Sequence, residues 1–195
     1  IEELAKRQHE EGLNFTTIAS SVVSTIKAQQ LGLNVVAMEH IPQLDLYVDG
    51  ADEVTPDLTL LKGRGSDLVK EKLLANASQQ MIILVDNSKL VNRIGEKFPI
   101  PVEVVSFAWQ LVQKSLQESG GQGELRPNAS GDGLAVTSHG SLVLDMTFDA
   151  SVGAATLNNL LDGIPGVVEH GVFHQLASVV LIANNDQVEE RWLNK

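Results

Sequence analysis

Cysteine is absent from this chain of 195 residues. That excludes disulfides and thiolate metal sites, and it permits a reducing compartment. Aromatic residues make up only 4%, so a core here must rest on Val, Ile, Leu and Ala, which favours an α/β packing over an aromatic-rich β-sandwich. Positive charge is scarce as well: 14 Lys and Arg stand against 25 Asp and Glu, for a formal charge of −11. Such a field argues against nucleic acid or an anionic membrane surface as the main partner. An anionic substrate must therefore be met by locally placed cations and backbone N–H groups. Long apolar runs are also missing. Met81-Ile-Ile-Leu-Val85 and Ser178–Ala183 are among the longest, far short of the roughly 20 residues that cross a bilayer. With 43% hydrophobic and 20% charged residues, the composition is that of a packed globular protein.

What is present alternates between strand and helix. Ile1–Gly12 reads as the tail of an amphipathic helix with a glycine stop. A short strand over Phe15–Ser20, a helix over Val22–Leu31 and β-rich runs at Val35–Met38, Leu44–Val48 and Leu58–Leu61 follow. Ser66 and Asp67 are candidate N-caps for a helix to about Ala77. Met81–Val85 is a continuous apolar strand of the kind buried on both faces of a parallel sheet. This alternation predicts an α/β fold with a doubly wound, mostly parallel, Rossmann-like sheet. Beyond Phe98-Pro-Ile-Pro101 the texture changes. Strands at Val102–Val105, Leu134–Thr137 and Ser141–Met146, with helices over Ala108–Glu118 and Ala154–Leu161, predict a smaller α+β unit of the split β-α-β-β-α-β, ferredoxin-like type. We expect residues 1–98 and 174–195 to form the Rossmann-like part and 99–173 the small one, with Ser178–Ala183 returning to the first sheet.

Ligands of such sheets gather at the C-terminal ends of strands, and two polar clusters follow strand-like runs directly. Asp49-Gly-Ala-Asp52-Glu53 places three carboxylates within five residues. Like charges that close raise at least one pKa, which suits acid–base work on hydroxyls; a solvated acidic loop is the alternative. Asp86-Asn-Ser-Lys89 offers the Lys89 ammonium to a phosphate, or is a plain strand-to-helix turn. Lys62-Gly63-Arg64-Gly65 precedes the helix, and glycines there let N–H groups face a concavity beside the Lys62 ammonium. Glu71 has Leu68, Leu74 and Ala75 as helical neighbours, a setting that raises a carboxyl pKa if it borders a cavity. From the pattern alone it reads equally as an ordinary solvated Glu. The five histidines, His9, His40, His139, His170 and His174, show no metal-ligand spacing, and each reads as a surface or structural residue.

Taken together these segments resemble type A ribose-5-phosphate isomerases over nearly the whole chain. The resemblance runs through Tyr47-Val-Asp-Gly-Ala-Asp-Glu53, Lys62-Gly-x-Gly65 with Glu71-Lys72, Asp86-x-Ser-Lys89, Phe98-Pro-x-Pro-Val-Glu-Val104 and Ile164-Pro-Gly-Val-Val-Glu-His-Gly-Val-Phe173, in that order. It implies interconversion of ribose 5-phosphate and ribulose 5-phosphate in the pentose phosphate pathway, through a cis-enediolate and without a metal or cofactor. By position it makes Glu71 the general base, and it gives Lys62 and the Gly63–Gly65 N–H groups to the developing charge. Asp49 and Asp52 become the acidic pair for hydroxyl protons and ring opening, and Lys89 a substrate-binding lysine. Gly50, Ala51 and Arg64 complete the expected substrate-binding set. A cytoplasmic homodimer or homotetramer is implied too. Three departures accompany the resemblance. The family's Gly-Thr-Gly-Ser-Thr phosphate loop belongs upstream of the helix that opens the chain, so we expect that loop and its strand to precede Ile1. Arg64 and Ser66-Asp67 replace small residues, and we expect the Arg64 guanidinium to point to solvent or to Asp67. Thr137-Ser-His-Gly-Ser141 stands in place of Thr-Asp-Asn-Gly-Asn. A non-catalytic sugar-phosphate binder, or an isomerase or deaminase of a related sugar phosphate, is the alternative reading.

Overall fold

The computed structural model of the protein describes residues 1–65 and 67–193. The chain begins with α1 (Glu2–Glu11), β1 (Thr16–Thr17), α2 (Val22–Gln30), β2 (Asn34–Val35), β3 (Leu44–Asp49), β4 (Glu53–Val54) and β5 (Leu60–Leu61). It continues with α3 (Leu68–Ala77), β6 (Ser78–Asp86), β7 (Ile100–Val104), α4 (Trp109–Glu118), β8 (Gln122–Leu125) and β9 (Leu142–Thr147). The last elements are α5 (Ala154–Asp162), β10 (Val167–His170), β11 (Val172–Phe173), β12 (Val179–Asn184) and β13 (Gln187–Trp192).

The main sheet has the order β13-β12-β6-β3. Strands β3, β6 and β12 are parallel, with Tyr47 opposite Met81 and Val180 opposite Ile83, and β13 is an antiparallel edge. The expected return of Ser178–Ala183 to this sheet is β12. One expectation needs correcting. Met81 and Ile83 are 1% and 0% exposed, but Leu84 on the opposite face is 50% exposed. The pleat carries Leu46 and Val48 onto that same open face, at 47% and 48%. The apolar run is therefore buried on one face only, where α3 packs.

A second sheet, ordered β10-β7-β9-β8, is antiparallel throughout. With α4 between β7 and β8 and α5 between β9 and β10, it is the β-α-β-β-α-β unit expected. Its second strand is nonetheless Gln122–Leu125, and the β-rich Leu134–Thr137 makes only isolated bridges, Pro127 with Leu134 and Val136 with Leu142. Gly123 explains the pairing. A Cβ there would lie 2.1 Å from the Asp145 carbonyl oxygen, so a residue that looks like turn material is what lets β8 close on β9. Gly123→Ala is expected to destabilise the fold by about 1–3 kcal/mol, the usual cost of overpacking. Urea denaturation checks this, and an unchanged midpoint would contradict it.

Three short strands join the sheets. In the antiparallel order β11-β5-β4, Leu60 faces Phe173 and Leu61 faces Val172. Leu60 and Phe173 belong to the core of Tyr47, Leu74, Met81 and Ile83, whereas Leu61 and Val172 belong to the core of Val102, Leu116, Leu144 and Leu161. Strand alternation thus divides adjacent residues between two cores. Lys62, next along the chain, emerges at the seam.

The remaining differences are small. Phe15–Ser20 forms only the two residues of β1, paired with β2, and Met38–His40 is a 3-10 turn. Asp67 occupies the N-cap of α3 without a side-chain cap bond, because its carboxylate accepts from Ser138 Oγ at 2.8 Å instead. Ser66, the other expected cap, lies outside the described residues.

Candidate active site

Because β3 and β6 are parallel neighbours, the polar segments after Asp49 and Asp86 emerge side by side at one end of the sheet. The loop from Asp49 to Asp52, the Lys62–Gly65 turn and the first turn of α3 enclose a hollow of ≈ 250 Å³ lined by Asp49, Gly50, Ala51, Asp52, Lys62, Gly63, Arg64, Gly65 and Glu71. A second hollow shares Gly50 and Ala51 and extends over Leu84, Val85, Asp86 and Ala183 to Lys89. Nine of the ten expected site residues therefore line the first hollow, and the tenth, Lys89, lines the second, which meets the first at Gly50 and Ala51.

Lys62 is the centre of the first hollow. Only 5% exposed, its Nζ donates to the Gly50 carbonyl at 2.8 Å and lies 2.9 Å from Asp49 Oδ2 and 3.3 Å from Glu71 Oε2. Phe173, fully buried, places its ring centroid 5.7 Å from the same ammonium. Asp49 is fixed twice more, accepting from Tyr47 Oη at 2.5 Å and from the Gly50 N–H at 2.8 Å. Burial, and then the Asp49 charge, push the Tyr47 hydroxyl pKa up, so it stays a proton donor.

Glu71 is held differently. Its Oε2 is buried and has no aligned hydrogen bond, so the 3.3 Å approach of Lys62 is an ion pair without a directed N–H. Burial raises its pKa above the ordinary Glu value; Lys62 opposes the rise and Asp49 adds to it. A carboxylate that is desolvated, lightly tethered and open to a cleft is suited to taking a proton from carbon.

Of the three clustered carboxylates, Asp49 is in the ion pair and Asp52 lines the hollow, its N–H donating to the Leu61 carbonyl at 2.8 Å. Glu53 is turned away and fully buried. Its carboxylate accepts from the N–H groups of Gly95, Lys97 and Phe98 at 2.7, 2.6 and 2.9 Å, so it braces the 95–98 loop. Lys89 closes a 3-10 turn nucleated by Asp86, whose Oδ1 accepts from the Ser88 N–H at 2.7 Å.

Solved structures and curated sequences agree on what this arrangement belongs to. The family model "Ribose 5-phosphate isomerase A (phosphoriboisomerase A)" matches residues 16–187. The chain belongs to that family. It is 39% identical over 169 residues to ribose-5-phosphate isomerase A of Thermosynechococcus vestitus, covering 87% of this chain and 72% of that protein. It is 39% identical over 187 residues to that of Methanothermobacter thermautotrophicus, covering 95% and 81%. The structure of ribose 5-phosphate isomerase A from Methanocaldococcus jannaschii superposes with a TM-score of 0.91 at 34% identity, over 98% of this chain and 84% of that one. A D-ribose-5-phosphate isomerase solved in complex with phospho-erythronic acid gives 0.92 at 29% identity, over the same shares.

Within the family, two departures now have places. Of the two places expected for it, the exposed Arg64 takes the solvent side and not Asp67, its guanidinium stacking on the Phe98 ring, 4.2 Å from its centroid; its backbone φ is not positive, as expected, and Gly63 takes the left-handed conformation at 95°. In the Thr137–Ser141 segment, Thr137 Oγ1 donates to the buried Glu103 at 2.8 Å and Ser138 meets Asp67, so this loop steadies the start of α3.

Some neighbours of the site were not legible in the sequence. Lys72, 7% exposed, sits 5.0 Å from the Phe173 centroid on an ion pair of 2.5 Å with Glu169, while His170 Nε2 lies 2.9 Å from Asp162. Among the described residues, Asp162, Glu169 and His170 are close enough to share a cation, and the Lys72 ammonium already fills that role. Sequence spacing gave these contacts no signal, because they join α3 to α5 and β10.

Proposed function

We propose that the protein interconverts D-ribose 5-phosphate and D-ribulose 5-phosphate, with Glu71 as the base. The observation that carries this reading is the Lys62 ammonium set between Asp49 and Glu71, in a cleft walled by the 63–65 turn. In the open-chain aldose, Glu71 takes the proton from C2, and the electron pair moves into a C1–C2 double bond. The C1 oxygen then carries negative charge, giving a cis-enediolate. Lys62 and the turn's N–H groups stabilise that charge where it forms. Return of the Glu71 proton to C1, with transfer of the O2 hydroxyl proton to O1, leaves the ketose.

Asp49 already accepts from Tyr47 and Lys62, so its part is to hold Lys62 and relay a hydroxyl proton. Asp52 has no side-chain ion pair or hydrogen bond among the described residues, which leaves its carboxylate for the anomeric hydroxyl during ring opening. Lys89, across the adjoining hollow, supplies a cation to the bound sugar phosphate. The relative solved with phospho-erythronic acid supports the cleft's chemistry, since a carboxylate presents two coplanar anionic oxygens as the enediolate does. We place the enzyme in the cytoplasm as a homodimer or homotetramer; among the described residues no helix is long and apolar enough to cross a membrane.

A coupled assay on ribose 5-phosphate beside glucosamine 6-phosphate tests the substrate. Turnover of the first alone is expected, and turnover of the amino sugar alone would overturn the reading. Arg64→Ala is a sharper check on the cleft. The stack on Phe98 is worth about 0.5–1 kcal/mol, so stability should fall by that much while turnover stays unchanged. A large loss of turnover would put Arg64 on the substrate.

A further inference from the structure

Arg126 stands outside the motifs of the cleft and yet touches the turn that walls it. The residue follows β8, and its guanidinium is gripped by Asp145 of β9, with Nε 2.9 Å from Oδ2 and Nη2 2.6 Å from Oδ1. This two-pronged pairing of a planar fork with a carboxylate fixes the plane of the guanidinium. It therefore also fixes the position of Nη1, which lies 3.0 Å from the Gly63 carbonyl oxygen, 3.4 Å from that of Arg64 and 3.5 Å from that of Gly65. The first contact is a regular hydrogen bond and the other two are long, but three successive carbonyls converge on one nitrogen.

That convergence bears on the opposite side of the turn. In a trans peptide the C=O and the following N–H point in opposite directions, and among the described residues no peptide bond is cis. Drawing the Gly63 and Arg64 carbonyls toward Arg126 aims the N–H groups of Arg64 and Gly65 the other way. Among the described residues neither N–H has a backbone acceptor. The wall they belong to is the one facing Lys62 and Glu71. Gly63, at φ 95°, provides the reversal the turn needs.

We propose that Arg126, locked by Asp145, is a positioning residue that holds the 63–65 turn with its carbonyls outward, so that its N–H groups receive the substrate oxygens. The assignment rests on the isomerase reading of the cleft. It gives the second sheet a part in the chemistry: β8 and β9 set the direction of a dipole array whose anion forms only during the reaction. Such an interaction acts on turnover more than on ground-state binding.

The test compares the unmutated protein with Arg126→Gln and Arg126→Lys, using phospho-erythronic acid as the anionic probe. In the unmutated protein the probe should move the amide resonances of Arg64 and Gly65. If it moves neither, the turn is not an oxygen site, and the underlying reading fails whatever Arg126 does. Where they move, Arg126→Gln should lower kcat by about tenfold or more, weaken the probe in proportion and leave KM for ribose 5-phosphate nearly unchanged. Arg126→Lys keeps the charge but not the fork, so it should recover only part of the loss. It also carries the test if the Gln variant does not fold. A folded variant with full kcat and undiminished probe affinity would overturn the proposal. So would a rise in KM at constant kcat, which would place Arg126 on the substrate itself.

Discussion

Replacing Glu71 by Gln should lower turnover at least about 10²-fold, the low end for loss of a general base, while KM for ribose 5-phosphate moves little. The amide keeps the shape of the side chain and its place in the first turn of α3, but it cannot accept a proton from carbon. Stability should move the other way. The folded-state pKa of Glu71 is raised, chiefly by burial. The protonated form therefore stabilises the fold fully below the unfolded value near 4.5, and that contribution is lost as pH rises through the folded value. At neutral pH the ionised carboxylate works against folding, and Gln removes that cost. The thermal midpoint of Glu71→Gln should equal or exceed that of the parent at pH 7, with the gap closing in acid. A variant with near-parental turnover would remove Glu71 from its role, and one markedly less stable at pH 7 would contradict the account of its burial.

Much of this site was readable because its members sit at the ends of elements that the sequence punctuates. Asp49 closes an apolar run, Lys62 precedes a glycine turn, and Glu71 falls one turn into the helix that follows. The pattern could not separate Glu71 from a solvated helix Glu, because the deciding facts are its burial and the approach of Lys62 from a different segment. Glu53 shows the converse. It shares the acidic motif with Asp49 and Asp52, yet it faces inward and satisfies three N–H groups of residues 95–98. Nothing local distinguishes a carboxylate that will find such partners from one that will line a cleft.

The fold divides in the same way. Periodicity gave the helices and most of the long strands nearly to their ends, since burial of one face enforces those patterns, but it gave no sign of β13, whose residues are nearly all exposed. It failed at β8, where Gly123 is chosen for the closeness of the Asp145 backbone, and glycine reads as turn. It also missed Tyr47, Phe173 and Arg126 as neighbours of the chemistry. Phe173 and Arg126 reach the site from β11 and from beyond β8, and such long-range contacts leave no spacing to read; Tyr47 stands two residues before Asp49 on β3, a spacing that puts both on one face of the strand.

Lys62→Met should lower turnover by about 10²–10³-fold, as expected for removing a preorganised charge from a developing oxyanion, and it should also displace the pH profile. Lys62 is the largest influence holding the Glu71 pKa down against burial, and Asp49 pushes it up. Removing the ammonium leaves burial and the Asp49 charge unopposed, so Glu71 releases its proton only at higher pH. The acid limb of kcat/KM should therefore shift toward alkaline pH, since the free enzyme must ionise its base to act. Part of the lost activity should return at high pH, up to the ceiling set by the missing oxyanion charge. Lys62→Arg is the control. It keeps the charge, so the acid limb should stay in place, but a guanidinium does not fit a pocket in which the side chain is 5% exposed, and turnover should still fall. Measuring kcat/KM against pH for the three proteins separates the two effects. If the acid limb of Lys62→Met coincides with that of the parent, Glu71 and Lys62 are not electrostatically coupled, and the base must be sought in Asp49 or Asp52.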